Sequence, residues 1–265
     1  MTATDPILVV DGVVRAFGGV HAVDGCSFTV AGGSITGLIG PNGAGKSTMV
    51  NLIAGALRPD AGTISFDGRY ITGLVPHKVA ELGLIRTFQI SREYPAMTVM
   101  ENLMVSPLHQ VGEGLVTALF APRRYRREEL DLVERAREIL ATFGLEHMRD
   151  EYAGNLSGGQ KRLLELARAV MAEPKMLILD EPMAGINPAL VDRICEHISE
   201  IRATLGVTFL IVEHNLDVVE RITDHVVVMA AGSALATGTM AELRGNEAVV
   251  NAYLTGGASD ARAAR

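Results

Sequence analysis

Tryptophan is absent from this 265-residue chain, and aromatic residues together make up only 5% of it. A stacking platform for single-stranded nucleic acid needs more aromatic faces than that. Positive charge is also short: 24 Lys+Arg stand against 31 Asp+Glu, for a net charge of −7. A sequence-independent nucleic-acid binder draws most of its affinity from phosphate contacts and carries the opposite balance. Only two cysteines occur, Cys26 and Cys195, far apart and without metal-ligand spacing. They read as small apolar core residues of a chain kept in a reducing compartment. No apolar run approaches the ~18–20 residues that span a bilayer, and MTATDPILVV lacks a basic segment followed by an apolar one. These absences predict a cytoplasmic chain, held at any membrane by another subunit.

What is present is ordinary globular composition, 48% hydrophobic and 21% charged, enough for one large domain or two small ones. Met1–Asp5 and Gly256–Arg265 are short, small and polar, and are expected to be disordered. Residues 7–72 read as strands first: ILVV, CSFTV, SITGLI and GTISF are β-branched or aromatic runs bounded by Gly or Asp. Ser34–Ile39 is apolar at nearly every position, as a strand covered on both faces must be. A helix is expected from Lys46 to near Leu57. Residues 90–158 turn helical. Glu128–Phe143 puts Leu130, Val133, Ala136, Leu140 and Phe143 on one face, with Gly144 at the C-cap. The preceding Arg123–Arg127 is a charge run, read as a solvated surface or a partner contact. Residues 159–240 alternate again: helix Gln160–Ala172, strand Met176–Asp180, helix from Pro188 capped by Asn187, strand Val207–Glu213, helix Asn215–Ile222, strand His225–Met229. Such alternation implies parallel βαβ units, into which the helical segment is inserted.

Three motifs carry chemistry. Gly40-Pro41-Asn42-Gly43-Ala44-Gly45-Lys46-Ser47-Thr48 fits G-x-x-x-x-G-K-[ST] between a predicted strand and a predicted helix. Its glycines let backbone N–H groups turn inward as an anion nest, reinforced by the helix N-terminus. Lys46 can reach the β- and γ-phosphates, and the Ser47 hydroxyl can ligate Mg²⁺. Met176–Glu181 runs four apolar residues into an acidic pair, at the strand end where open α/β sheets bind ligands. Asp180 suits the Mg²⁺ shell, and Glu181 can act on an attacking water as base or orienter. Leu156-Ser157-Gly158-Gly159-Gln160 opens a helix and is a second anion-binding device or a plain N-cap with a Gly turn.

In this order the three motifs resemble the ATP-binding subunits of ABC transporters, and the resemblance runs over nearly the whole chain. It implies an α/β P-loop NTPase core with a mainly parallel sheet, N-terminal antiparallel strands and an inserted helical subdomain. As one nucleotide-binding domain it covers 6–255: core about 6–89 and 159–240, helical subdomain about 90–158, C-terminal extension about 241–255. The resemblance implies that Phe17 stacks on adenine, that Gln89 senses Mg²⁺ and the lytic water, and that His214 contacts the γ-phosphate. It also implies that Ser157, Gly158, Gly159 and Gln160 close over ATP held by a second ATP-binding subunit, and that transmembrane permease subunits, and indirectly a solute-binding protein, are partners. Asn187 stands where many members of the family carry Asp, which keeps a cap but removes a charge. FGGVHAVDG, GLIRTFQ with PAMTVMENL, VEHNLDVV, the stretch Ser106–Arg127 and ATGT…AVVNAYL are similar to the branched-chain amino acid and urea-type import ATPases. An exporter ATPase of the lipopolysaccharide type and a soluble ABC ATPase acting on nucleic acid or ribosomes are the alternatives. A GTPase or small-molecule kinase lacks support, because no N-K-x-D motif occurs.

Overall fold

The computed structural model describes residues 5–87, 93–107 and 122–253. Gln89, most of Ser106–Arg127, Met1–Thr4 and the expected tail Gly256–Arg265 lie outside them. The chain divides into two compact units: residues 1–86, 175–184 and 198–265, and residues 87–174 and 185–197.

The first unit holds two sheets. β1 (Pro6–Phe17), β2 (Val20–Ala31), β4 (Ala61–Phe66) and β5 (Arg69–Tyr70) form an antiparallel sheet in the order β2-β1-β4-β5. The second sheet runs β10-β9-β3-β8-β7-β6, built from β3 (Ile35–Ile39), β6 (Leu84–Arg86), β7 (Met176–Asp180), β8 (Thr208–Val212), β9 (His225–Ala230) and β10 (Ser233–Gly238). All its pairings are parallel except β9 with β10. β3, β7 and β8 are buried at every residue, which explains why they are apolar at nearly every position. Alternate residues serve opposite faces. Leu38, Val227 and Met229 join a core with Leu8, Val10 and Phe66 of the antiparallel sheet and with Met49, Val50 and Ile53 of α1 (Lys46–Ile53). Ile39, Val226 and Val228 join a second cluster with Val219 of α7 (Leu216–Ile222) and Met240 and Leu243 of α8 (Met240–Arg244).

α1 ends at Ile53 rather than near Leu57, because the N–H groups of Ala56 and Leu57 both turn back to the Asn51 carbonyl. A short helix, α2 (Pro76–Glu81), and the three-residue β6 went unpredicted. So did β10, although Ala231 and Gly232 at its hairpin turn both have positive φ.

In the second unit, α3 (Val99–Met104), α4 (Pro122–Thr142) and α5 (Gly158–Met171) pack pairwise. α6 (Pro188–Leu205) begins in this unit and ends in the first. α4 starts at Pro122 rather than Glu128, so the Arg123–Arg127 run is helical. Its buried face is Ala136, Ile139 and Leu140, continued by Phe143, whereas Leu130 is 62% exposed. From Leu130 the expected stripe takes two successive steps of three, each about 60° short of a full turn, so Leu130 drifts off the face. Gly144 follows with φ 67, as expected of the terminator. Asn102 is fully buried and fastens the segment before α3: its Oδ1 accepts from the Tyr94 N–H, and its Nδ2 donates to the Tyr94 and Thr98 carbonyls. Both cysteines are free and buried, as composition suggested. No described helix is long and apolar enough to cross a membrane.

Candidate functional site

The C-terminal ends of β3, β7 and β8 bring three chain segments to one edge of the parallel sheet. β3 leads into the loop Gly40–Gly45. Glycine is required at two places there. A Cβ on Gly40 would lie 2.1 Å from the Met229 carbonyl oxygen, and one on Gly45 2.2 Å from that of Ala22. Gly45, with φ 97, is also the N-cap of α1, and no side chain caps that helix. The first-turn N–H groups therefore remain available for a ligand.

Lys46 is 6% exposed, and its Nζ donates to the carbonyls of Gly40 (2.8 Å) and Pro41 (2.9 Å). Burial pushes its pKa down, against the opposing pull of the Glu181 and Asp180 carboxylates. Those acidic groups come from the end of β7. Asp180 is 4% exposed and accepts from the Arg86 guanidinium at 2.8 Å. Arg86, at the end of β6, also donates to Asn51 Oδ1 of α1 at 2.6 Å. One planar group thus links β6, β7 and α1.

Glu181 follows with φ 49, a left-handed conformation that is uncommon for a residue with a Cβ. Its N–H is tied to the Val212 carbonyl (2.9 Å), and its Oε1 meets His214 Nε2 at 2.6 Å. The backbone strain persists because both contacts fix it. Glu213, 4% exposed, accepts from the Met183 N–H (2.9 Å) and from its neighbour His214 N–H (3.2 Å). Asn215 then caps α7 by accepting from Asp217 and Val218. In V-E-H-N each residue has a separate contact.

Phe17 lies at the end of β1 and is 46% exposed. The Arg15 guanidinium sits 4.9 Å from its ring centroid and is itself held by Asp60 Oδ1 at 2.7 Å. The Ala16 N–H and then Arg15 hold the Asp60 carboxyl below its ordinary range.

In the second unit, Ser157 is the N-cap of α5: its Oγ accepts from Gln160 N–H (3.3 Å), and Gln160 Oε1 accepts from Ser157 N–H (2.9 Å). Gln160 Nε2 also reaches Met148 Sδ. The reciprocal cap holds the Ser-Gly-Gly turn in shape, and Gly158 is exposed with open space where a Cβ would stand. The N-cap and anion-turn readings are therefore compatible. Asn187 caps α6 by accepting from Leu190 N–H at 2.9 Å.

The first unit thus brings Gly40–Thr48, Asp180, Glu181 and His214 together, with Phe17 on the same unit. Ser157, Gly158, Gly159 and Gln160 belong to the second unit, and Gln89 is outside the described residues. Sequence reasoning missed Arg86, Asn51 and Glu213. Of these, only Arg86 carried a signal, a lone cation ending an apolar strand. Among the described residues no three His, Cys, Asp or Glu cluster as a metal site. The available donors at the loop are the Ser47 hydroxyl and the Asp180 carboxylate. Mg²⁺ fits such a hard, sparse oxygen set, since it takes one or two protein ligands and completes its shell with phosphate and water.

Known proteins resemble this chain in sequence and fold. The ABC transporter family pattern matches residues 23–184. A probable branched-chain amino acid transport ATP-binding protein, LivG, of Archaeoglobus fulgidus is 44% identical over 254 residues, 96% of each chain. The high-affinity branched-chain amino acid transport ATP-binding protein BraF of Pseudomonas aeruginosa is 41% identical, over 94% of this chain and 98% of its own. A solved ATP-binding cassette of an ABC transporter, in its ADP conformation, superposes with a TM-score of 0.79 at 39% identity, covering 95% of this chain and 99% of that one.

Proposed function

The chain belongs to the ABC transporter family as an ATP-binding cassette, and on that premise we propose that it drives import of branched-chain amino acids or related small solutes. It is an ATPase. The observation that carries the import reading is that relatives named for branched-chain amino acid transport match across almost the full length of both chains, at 44% and 41% identity.

In this reading the chain is one nucleotide-binding domain, 6–255. The phosphates of ATP lie on the backbone N–H groups of Gly40–Thr48, and Lys46 exchanges its loop carbonyls for the β- and γ-phosphates. Ser47 and Asp180 would hold Mg²⁺, which would supply charge neutralisation at the phosphates. Phe17 stacks on adenine, its other face supported by Arg15. Glu181 orients the attacking water and takes its proton, while His214 positions Glu181 and contacts the γ-phosphate. Gln89, outside the described residues, is assigned the sensing of the same water. Little covalent chemistry falls to the protein; positioning and charge neutralisation do most of it.

One cassette has two anion-binding turns and one triphosphate. We assign the second turn, Ser157 to Gln160, to the nucleotide of a second ATP-binding subunit, so that a head-to-tail pair encloses two ATP molecules. Loss of the γ-phosphate removes charge-assisted hydrogen bonds across that interface and lets it open. Permease subunits convert the motion, and the chain is peripheral at the cytoplasmic face of the membrane. The test is uptake of labelled leucine in cells carrying Lys46→Ala. Uptake at background supports the reading; uptake at the wild-type rate contradicts it.

A further inference from the structure

Glu213 takes no part in the chemistry assigned above, yet it is a carboxylate 4% exposed, one residue from His214. A buried carboxylate is costly unless its oxygens are satisfied. Here the Met183 N–H donates to Oε1 at 2.9 Å and the His214 N–H to Oε2 at 3.2 Å. The two donors belong to different loops. Met183 sits in the turn closed by the Ala184 N–H to Glu181 carbonyl bond (3.1 Å), immediately after β7. His214 starts the loop after β8. β7 and β8 are parallel neighbours with Asp180 opposite Val212, so the carboxylate spans the gap beyond the last rung of the ladder.

Three ties therefore join the two strand ends: the Glu181 N–H to the Val212 carbonyl, the Glu213 bracket, and His214 Nε2 to Glu181 Oε1. The first is ordinary sheet bonding. The third joins the side chain assigned to the lytic water, Glu181, to the one that positions it, His214. The middle one fixes the backbone on either side of that contact. It also steadies Glu181, whose φ of 49 would otherwise relax.

We infer that Glu213 is a positioning residue: its carboxylate brackets the backbones of Met183 and His214 and so sets the Glu181–His214 contact in register for hydrolysis. This rests on the roles given above to Glu181 and His214. It makes a chemical demand that only a carboxylate of this length meets. Here the two N–H donors lie on opposite sides of the carboxylate and each meets its own oxygen. Glutamine is isosteric but offers one oxygen and one NH₂, so one backbone donor would face another donor.

The experiment uses the full-length chain and its Glu213→Gln, His214→Ala, Glu181→Gln and Glu213→Gln/His214→Ala variants. Phosphate release gives kcat and KM, a fluorescent ATP analogue gives Kd, and hydrogen exchange reads the Met183 amide. For Glu213→Gln we expect kcat to fall about tenfold, equivalent to ~1.4 kcal/mol in the barrier. Analogue Kd should stay within about twofold and Met183 exchange should quicken, because a freed amide opens more often. In the His214→Ala background the same change should cost less than about twofold more, since neighbours acting through one contact are not additive. Glu213→Gln with unchanged kcat overturns the inference. So does a fall in kcat that His214→Ala does not absorb, or one matched by lost nucleotide binding. If Glu213→Gln fails to fold, Glu213→Asp decides: it keeps two oxygens but is one methylene short, and wild-type kcat from a folded Asp variant overturns the register argument. Normal turnover by Glu181→Gln, by contrast, would remove the parent assignment itself.

Discussion

Replacing Arg86 by methionine tests the electrostatics of the strand edge most sharply. Arg86 lies 2.8 Å from Asp180, with side-chain exposures of 18% and 6%. At that separation and an effective dielectric near 20, the attraction is about 6 kcal/mol, part of which offsets the cost of dehydrating both groups. Removing the guanidinium leaves the carboxylate buried and unpaired, and also strips Asn51 Oδ1 of its donor. Breaking one side of a buried pair costs about 3–5 kcal/mol. At roughly 2–4 °C per kcal/mol for a chain of this size, Tm should drop on the order of 10 °C. Methionine fills most of the volume, so packing loss adds little. Calorimetry with and without a second change, Asp180→Asn, separates charge from packing. The double variant should recover more than half of the loss, because the stranded charge is gone. A Tm within about 2 °C of wild type, or no recovery on adding Asp180→Asn, would refute the reasoning.

Other outcomes follow from the same contacts. Glu181→Gln should keep ATP binding and lower phosphate release at least a hundredfold, the range expected when a positioned general base is lost; release within about tenfold of wild type removes Glu181 from its role. Gly45→Ala should abolish binding of an ATP analogue, since the new Cβ would meet the Ala22 carbonyl at 2.2 Å; an unchanged Kd contradicts the loop geometry. Burial pushes the Cys26 thiol up to about 11, against a weaker lowering by a backbone hydrogen bond at Ala234. Because the folded value lies above the unfolded one, the stability it contributes is complete below pH 9 and lost as pH rises through 11. Iodoacetamide at pH 9 should accordingly spare Cys26 in the native chain and label it in denaturant, as peptide mass spectrometry would show.

Much of this was legible in the residues. Mostly apolar runs at Ile35–Ile39, Met176–Asp180 and Thr208–Val212 mark strands buried on both faces, and each leads into the residues that line the site. Asn187-Pro188 and Ser157 marked helix starts, and both act as caps. What escaped depends on tertiary partners. Arg86 and Asn51 are distant in sequence and meet only when β6 and α1 pack beside β7. Glu213 reads as one more acidic residue until its two backbone donors are seen. Leu130 looked like part of a stripe because three-residue steps mimic a helical face over short spans, whereas burial follows the 3.6-residue turn. The edge elements β5, β6 and β10 are short or half-exposed and carry little apolar signal.

The claim on which the transport account turns is that the Ser157–Gln160 turn of one cassette completes the ATP site of another. A structure of the Glu181→Gln chain in its native membrane complex with MgATP measures this directly. The account predicts Ser157 Oγ or the Gly159 N–H of the opposing cassette within about 3 Å of a γ-phosphate oxygen, hydrogen-bond distance. A nucleotide-loaded complex in which that turn contacts no phosphate would contradict it.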